Sequence, residues 1–249
     1  MAVQPTQVAD GVHRVADGLV NWYVLISDDR VTLVDTGWPR SWPKVVGALS
    51  ALGRGVEDLA AVVLTHGHAD HQGAAEDARK AGAVVHGHRT EVPYLRGKAK
   101  NSSPFAMVPG LLPHLWKPKA LGFVLHASKH GFLTPTWITQ VTPFDDGAEI
   151  DVPGGPRALH TPGHTSGHTS FILDQAGAVL SGDALVTLDV LSRKTGPRLL
   201  PNALNADPGE ARRTLSRFSD VKAGLLLPGH GDPMTGDVAG FAAEARLAG

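Results

Sequence analysis

Segment 65–71, with the sequence THGHADH, places four side chains that can bind a divalent metal within six positions: His66, His68, Asp70 and His71. It directly follows the apolar run 59–64, which is typical of a buried strand, so we expect the four side chains in the loop at that strand's end. Because side chains alternate along extended backbone, His66 and His68 can point towards one metal ion. Once the chain turns, Asp70 and His71 can face a second ion. The alternative is a surface loop with chance histidines, since a motif match alone is a hypothesis.

Three later segments repeat the same arrangement of a short apolar strand, a glycine and a side chain that can bind a metal. His164 follows Thr-Pro-Gly, Asp183 follows a glycine, and His230 follows Pro-Gly. Each glycine lets the backbone approach closely at a strand end. Together with the first segment, they provide five imidazoles and two carboxylates.

The composition restricts the chemistry of such a site. The chain has 249 residues and no cysteine, so a metal would be bound by nitrogen and oxygen alone. Such ligands suit Zn²⁺, Fe or Mn²⁺. Two adjacent ions can share a water and lower its pKa to near neutrality, which makes a hydroxide nucleophile.

The elements that must position these side chains form two similar halves. The patterns predict strands at 11–15, 20–27, 31–35 and 59–64, a helix from the capping residue Ser41 to Gly53, a helix at 74–81 and a strand at 83–86. They then predict strands at 140–143, 149–152, 157–160, 170–173, 179–181 and 224–227, and helices from Asp207 and over 238–247. We expect a single domain over 1–249, with two sheets inside and helices outside.

Residues 88–140 form a distinct apolar, basic and proline-broken segment, which we interpret as a helical insert. It contains seven Lys and Arg residues but Glu91 as its one acidic residue, whereas the whole chain has a net charge of −1. The insert could be a lid or pocket wall for an amphipathic, anionic small molecule. The alternative is a solvated basic face over a satellite core, or a contact in a homodimer.

These four motifs and Asp35-Thr36-Gly37 upstream of them, in this order and spacing, resemble the metallo-β-lactamase-fold superfamily. The resemblance implies an α+β fold, a four-layer αββα sandwich of two mixed β-sheets flanked by helices, with two divalent metal ions. It implies that His66, His68 and His164 bind the first ion, that Asp70, His71 and His230 bind the second, and that Asp183 bridges them. Asp35, in an Asp-Thr-Gly match, and His168 would orient this site from behind the ligands.

Within this superfamily, the sequence favours the branch that resembles glyoxalase II and the lactonases. The expected reaction is hydrolysis of an ester, lactone or thioester, with Zn²⁺ favoured and Asp70 and Asp183 as the catalytic carboxylates. One departure is the lack of the helical C-terminal domain of glyoxalase II; another is the lack of a tyrosine directly after Asp183. The alternative is a mononuclear Fe(II) enzyme similar to the persulfide dioxygenases. Hydrolysis of β-lactams is a lesser alternative.

Several other functions are disfavoured. A net charge of −1 gives no basic field for nucleic acid. No segment has the length of a signal peptide or of a membrane span, so we expect a cytoplasmic protein with no stable membrane insertion. A metal-free binding module is disfavoured because all seven donors are intact. The remaining histidines are expected to be surface or supporting groups, with His160 the most ambiguous.

Overall fold

The structure is a computed structural model that describes residues 4–100, 102–103, 106 and 108–248, with only the backbone described at 108 and 248. Its larger sheet contains seven strands that lie side by side in sequence order. They are β1 (Thr6–Ala9), β2 (Val12–Asp17), β3 (Val20–Ser27), β4 (Arg30–Val34), β5 (Leu59–Val63), β6 (Val84–His88) and β7 (Thr142–Phe144). Strands β1 to β4 pair antiparallel and β4 to β7 pair parallel, so the sheet is mixed.

The second sheet contains five strands, with β14 at one edge and β8 at the other. They are β8 (Arg157–His160), β9 (Thr169–Leu173), β10 (Ala178–Gly182), β13 (Leu225–Pro228) and β14 (Met234–Thr235), and a separate ribbon pairs β11 (Val186–Leu188) with β12 (Thr195–Arg198). Both β8 and β10 run antiparallel to β9, and β13 runs parallel to β10. The carboxyl ends of β8, β10 and β13 therefore meet at one edge.

Helices cover the outer faces of both sheets, and further helices lie in segment 88–140 beside the sandwich. They are α1 (Trp42–Ala51), α2 (Ala75–Lys80), α3 (Val92–Leu95), α4 (Val108–Leu111), α5 (Pro118–Lys129), α6 (Pro208–Thr214) and α7 (Val238–Ala248). Single 3₁₀ turns occur at 56–58, 112–114, 202–204 and 215–218. Among the described residues, no helix is both long and apolar enough to cross a bilayer.

The alternation of buried side chains along β3 shows how the layers form. Trp22 and Val24 pack with Val45 and Leu49 of α1 outside the first sheet. Their neighbours on β3 point the other way and pack against Phe171 and other residues of the second sheet. A further cluster covers the outer face of the second sheet with α7. Because both faces of both sheets are buried, the fold is the αββα sandwich that the sequence predicted.

Two local predictions were wrong. Segment 149–152 is not a strand, because it pairs only through an isolated bridge from Glu149 to Arg157. Residues 150–156 instead form a tight loop, in which Ile150 N–H donates to the Pro156 carbonyl. Ser41 precedes α1 but does not cap it, because its hydroxyl accepts from Trp38 N–H and binds the Asp17 carboxylate. Strands β1, β11, β12 and β14 were not predicted.

Segment 88–140 contains helices α3, α4 and α5, as expected of a helical insert. Phe105 and Met107, two of its apolar residues, lie outside the described residues. Leu95 and Ile138 of this segment join the core of the first sheet, whereas other apolar residues form satellite clusters, with Phe123 packed against two of them. The assignment of residues 1–249 to one domain with an insert stays a prediction.

Candidate metal centre

All seven predicted donors lie just beyond strand ends at one edge of the sandwich. The 66–71 loop follows β5, His164 follows β8, Asp183 follows β10 and His230 follows β13. The parallel directions of β8, β10 and β13 place three of these ends together, as described above. The seven donors are therefore positioned by four strand–loop junctions.

Three imidazole nitrogens converge on one point. The His68 Nδ1 atom lies 3.1 Å from His66 Nε2 and 2.8 Å from His164 Nε2, and the two Nε2 atoms are 3.2 Å apart. Ligands arranged tetrahedrally about 2.1 Å from a zinc ion would be about 3.4 Å from one another. The three nitrogens thus have nearly the spacing of three ligands around one ion.

A second group contains the other predicted donors. The Asp70 carboxylate lies 3.6 Å from His230 Nε2 and 3.9 Å from His71 Nε2. All three side chains are buried, and their ligand atoms lie close enough to bind a common ion. This spacing is slightly wider than that of the first group.

Asp183 lies between the two groups. One carboxylate oxygen is 3.4 Å from His71 Nε2, and the other is 3.2 Å from His230 Nε2 and 3.3 Å from His164 Nε2. A single carboxylate thus contacts donors of both groups, as a bridging ligand would. The structure brings all seven side chains together, and their binding of metal stays a prediction.

Hydrogen bonds at the outer ring nitrogens set the tautomers of three of the histidines. The His71 Nδ1–H donates to Asp35, the His164 Nδ1–H donates to the Asn205 side-chain oxygen, and the His230 Nδ1–H donates to the Leu19 carbonyl. Each bond leaves the Nε2 lone pair directed into the site. Such bonds orient metal-binding histidines and raise their basicity.

Asp35 makes hydrogen bonds to the histidine loop. It accepts hydrogen bonds from both the backbone and the hydroxyl of Thr65, in addition to that from His71. Because the Thr65 hydroxyl donates to Asp35, it must accept from His66 Nδ1–H, at 3.0 Å. Asp35 also has a φ of +61°, a strained conformation for a residue with a side chain. One carboxylate thereby positions two of the predicted ligands.

His168 supports the site from behind Asp183. Its Nε2 atom accepts a hydrogen bond from the Asp183 backbone N–H at 2.9 Å. Its Nδ1–H therefore faces the Thr161 hydroxyl, 2.9 Å away. His168 is fully buried and binds the backbone of Asp183, and it does not line the cavity.

Sequence reasoning missed the role of Glu91, which joins the two ligand loops. Its carboxylate accepts from Gly67 N–H at 2.9 Å, from Gly167 N–H at 2.9 Å and from the Thr165 hydroxyl at 3.0 Å. Burial raises the pKa of Glu91, and these hydrogen bonds oppose that effect. The one signal in the sequence was an acidic residue isolated in a basic segment.

The electrostatics of the site favour cations. Burial lowers the pKa of His66 and of His68 well below its usual value, so both imidazoles are neutral. Burial acts the same way on His71, but Asp183, Asp70 and Asp35 outweigh it and raise its pKa to about 10. Burial raises the pKa of Asp183, but nearby histidines hold it well below its usual value. The ionised carboxylates thus favour a cation, either the proton on His71 or a metal ion that displaces it, and the neutral imidazoles can donate a lone pair to that ion.

Two buried atoms provide an independent test of whether these residues suit a metal ion. Among the described residues, ten buried side-chain atoms have no hydrogen-bond partner, and two of them, His71 Nε2 and Asp183 Oδ1, face each other in the site. Buried polar atoms are seldom left without a partner unless they serve an ion, a water or a reaction. At Gly229, a Cβ atom would lie 2.3 Å from an Asp183 oxygen and 2.9 Å from the His71 ring. The residues therefore fit divalent cations.

A narrow cavity of about 80 Å³ opens above five of the donors, which are His68, Asp70, His164, Asp183 and His230. Its remaining wall is mostly apolar and consists of Trp38, Leu111, Phe123, Val124, Ala127, Ser128, Phe132, Leu133, Val190, Leu200 and Leu204. Helix α5 contributes four of these residues. No lysine or arginine lines this cavity in the described part of the chain.

The other histidines lie apart from the donors. His160 stacks on His88 at 4.1 Å and contacts the Ser166 carbonyl. His126 and His130 stack on each other and pack beside Trp38. Within the described residues, the candidate ion-binding groups contain none of these side chains.

Comparison with known proteins agrees with this geometry. The family model described as the metallo-beta-lactamase superfamily matches residues 15–230. The chain belongs to this superfamily and is therefore an enzyme of a metallo-hydrolase family, in which the fold implies binding of divalent metal.

Individual relatives span most or part of the chain. The probable metallo-hydrolase YflN of Bacillus subtilis is 30% identical over 92% of this chain and 87% of its own length. The atrochrysone carboxyl ACP thioesterase of a Cryptosporiopsis species is 27% identical over 66% of this chain and 37% of its own. A crystal structure of a metallo-beta-lactamase family protein from Thermus thermophilus matches with a TM-score of 0.71 and 26% identity, covering 97% of this chain and 80% of that one.

Proposed function

We propose that this enzyme hydrolyses an ester, lactone or thioester whose acyl group is apolar. The observation that carries the proposal is the position of Asp183, which contacts both donor groups at the base of an apolar cavity. A shared carboxylate between two groups of donors is typical of a two-ion hydrolytic site. The thioesterase among the relatives is consistent with the thioester option.

The residues of the site have different proposed roles in the reaction. Two divalent cations, with zinc favoured over iron or manganese, would supply an activated water and polarise the substrate carbonyl when bound. Asp70 faces the cavity, so its carboxylate can accept the proton that the attacking water releases. Asp183 would bridge the two ions and so keep the two donor groups at a fixed separation. His66 and His71 are fully buried and do not line the cavity, so we assign them to binding the metal ions and not to contact with the substrate.

The cavity wall indicates the kind of substrate. An aliphatic or aromatic acyl group would be desolvated between α5 and the residues around Leu200 and Leu204. A negative charge on the substrate would lie outside, where the lysines of the insert are exposed. We therefore propose an amphipathic, anionic small molecule in a cytoplasmic setting, with no nucleic acid partner.

Metal analysis combined with a substrate panel tests the proposal. Close to two zinc ions per chain, with hydrolysis of esters, lactones or thioesters, is the expected result. We expect Asp183→Asn to lose both the second ion and turnover, whereas Asp174→Asn, at an exposed ion pair with Arg157, should behave as wild type. Full turnover in Asp183→Asn would contradict the proposal. One iron per chain and oxygen uptake with persulfides would favour the dioxygenase alternative instead.

A further inference from the structure

The insert concentrates the exposed apolar side chains of the protein. Among the described residues, eight large apolar side chains are exposed, and five of these lie between positions 112 and 133. We call these five the apolar patch: Leu112, Trp116, Leu121, Leu125 and Leu133. Trp116 is 78% exposed and Leu125 is 62% exposed. Isolated exposed leucines are ordinary, but such a concentration in one segment marks an interaction surface.

Helix α5 lies between the cavity and two residues of this patch, Leu121 and Leu125. Ala120 and Ala127 are buried, and Phe123 packs against the apolar clusters below the helix. Leu121 and Leu125 are one turn apart on the opposite, exposed side. The inner face of α5 thus completes the fold, while its outer face presents leucines to solvent.

The charge of the same segment is uniformly positive. Residues 108–133 include Lys117, Lys119 and Lys129 and contain no Asp or Glu. Lys117 and Lys129 are exposed, and the Lys117 ammonium lies 5.5 Å from the centre of the Trp116 ring. Exposed Trp and Leu with Lys beside them are typical of helices that lie in a membrane interface.

We infer that the apolar patch and its lysines dock this enzyme onto an anionic lipid surface. A second copy of the chain would bring the same positive charges together, so self-association through this face is disfavoured. Anionic headgroups complement the lysines, and acyl chains can receive Trp116 and the leucines without a shaped groove. The docking is peripheral, with no helix inserted across the bilayer.

The cavity opens beside this surface. Leu133 lines the cavity and is also 46% exposed, so it belongs to both the wall and the patch. An apolar acyl compound dissolved in the bilayer could therefore enter close to where the protein docks. This last link depends on the proposed hydrolysis, whereas the docking itself does not.

Sedimentation of the full chain with vesicles tests the docking. We expect binding to vesicles of equal parts phosphatidylcholine and phosphatidylserine, none to phosphatidylcholine alone, and release by added salt. Trp116→Ala combined with Leu125→Ala should weaken binding about tenfold or more, through lost apolar burial. Lys117→Gln and Lys129→Gln should each weaken it about fivefold.

Matched controls change equally exposed residues elsewhere. Leu247→Ala, at a side chain that is 88% exposed on α7, and Lys222→Gln should bind vesicles as wild type does. Failure of wild type to bind anionic vesicles, or undiminished binding by the patch variants, would overturn the inference. It would also be overturned if wild type were a dimer that these substitutions made monomeric, or if the patch bound an acidic carrier protein and ignored vesicles.

Discussion

Buried side chains with several hydrogen bonds each keep the ligand loops of this enzyme in place. Asp35 fixes the loop that carries His66 and His71, and Glu91 links that loop to the one that carries His164. Hydrogen bonds to a charged acceptor are worth about 1.5–3 kcal/mol each, and their loss leaves buried N–H groups unpaired. Replacing a single acceptor oxygen of Asp35 or Glu91 should therefore lower both the free energy of unfolding and the affinity for metal.

We predict that Glu91→Gln lowers the free energy of unfolding by about 2 kcal/mol and weakens metal binding about tenfold. The amide replaces one acceptor oxygen with an NH₂ group, which cannot accept from Gly67 or Gly167. Denaturant unfolding and competition with a chelator measure the two effects. Glu57→Gln, at an exposed position, is the control. Metal affinity equal to that of wild type would show that the link between the loops does not act on the site.

At the level of secondary structure, the short helices connect the sandwich to the segment that covers the site. Glu76 on α2 binds the Arg79 guanidinium and also accepts from the backbone and hydroxyl of Thr139, at the end of the insert. Helix α5 then lies across the cavity with Phe123, Val124 and Ala127 towards it. The first contact anchors the insert, and the second shapes what the site can accept.

The Glu76 contact predicts a pH dependence. Hydrogen bonds from Arg79, against the opposing effect of burial, lower the pKa of Glu76 to about 2 from 4.5, with Thr139 contributing. The ionised form is favoured in the folded state, so this stability is present above pH 4.5 and is lost as the pH falls towards 2. We expect Glu76→Gln to be less stable than wild type by about 2 kcal/mol at pH 7, with the difference less than half as large near pH 3.

Urea unfolding at the two pH values measures this effect. Asp77→Asn, in the same first turn of α2, controls for loss of a negative charge near the helix start. A difference between Glu76→Gln and wild type that is constant with pH would contradict the assigned ionisation.

The cavity wall predicts selectivity for acyl length. Val124→Trp should fill the cavity and lower kcat/KM for octanoyl esters about tenfold or more, while that for acetyl esters changes less than about twofold. Leu121→Trp, on the outer face of the same helix, should leave both values unchanged. Steady-state kinetics of wild type and both variants, with acetyl and octanoyl esters, measure these kcat/KM values. An equal loss with both substrates would indicate general damage to the helix rather than a shaped cavity.

At the level of the whole molecule, the site joins the ends of both sheets. The two β-sheets contribute ligand loops to one buried cluster that contains the carboxylates Asp70 and Asp183 and five imidazoles. Cations that bind only to the folded state stabilise it by mass action. Loss of the ions should therefore weaken the contact between the two sheets and not merely abolish activity.

We expect a chelator to lower the Tm by about 5–10 °C and added zinc to restore it. The Asp183→Asn variant should show a smaller shift, because fewer donors respond to metal. Differential scanning calorimetry before and after metal removal gives the measurement. An unchanged Tm would mean that the cluster is stable without cations, contrary to the unpartnered atoms of His71 and Asp183.

The sequence by itself determined the donor types, their positions at strand ends and the αββα layering. These features depend on chain neighbours: the alternation of side chains places His66 and His68 on one side, and apolar runs define the strands before each ligand. The N-terminal cap of α6 is equally local, since Asp207 accepts from Glu210 N–H.

Only the tertiary structure decided which groups complete the site. The Leu19 carbonyl meets His230 from 211 positions away in the chain, and Asn205 and Glu91 reach their partners from other elements. Composition likewise showed that the insert is apolar and basic, but only packing placed Phe123 and Val124 towards the cavity and left Leu121, Leu125 and the lysines exposed. Contacts between distant segments depend on how whole layers pack, and no local pattern encodes that geometry.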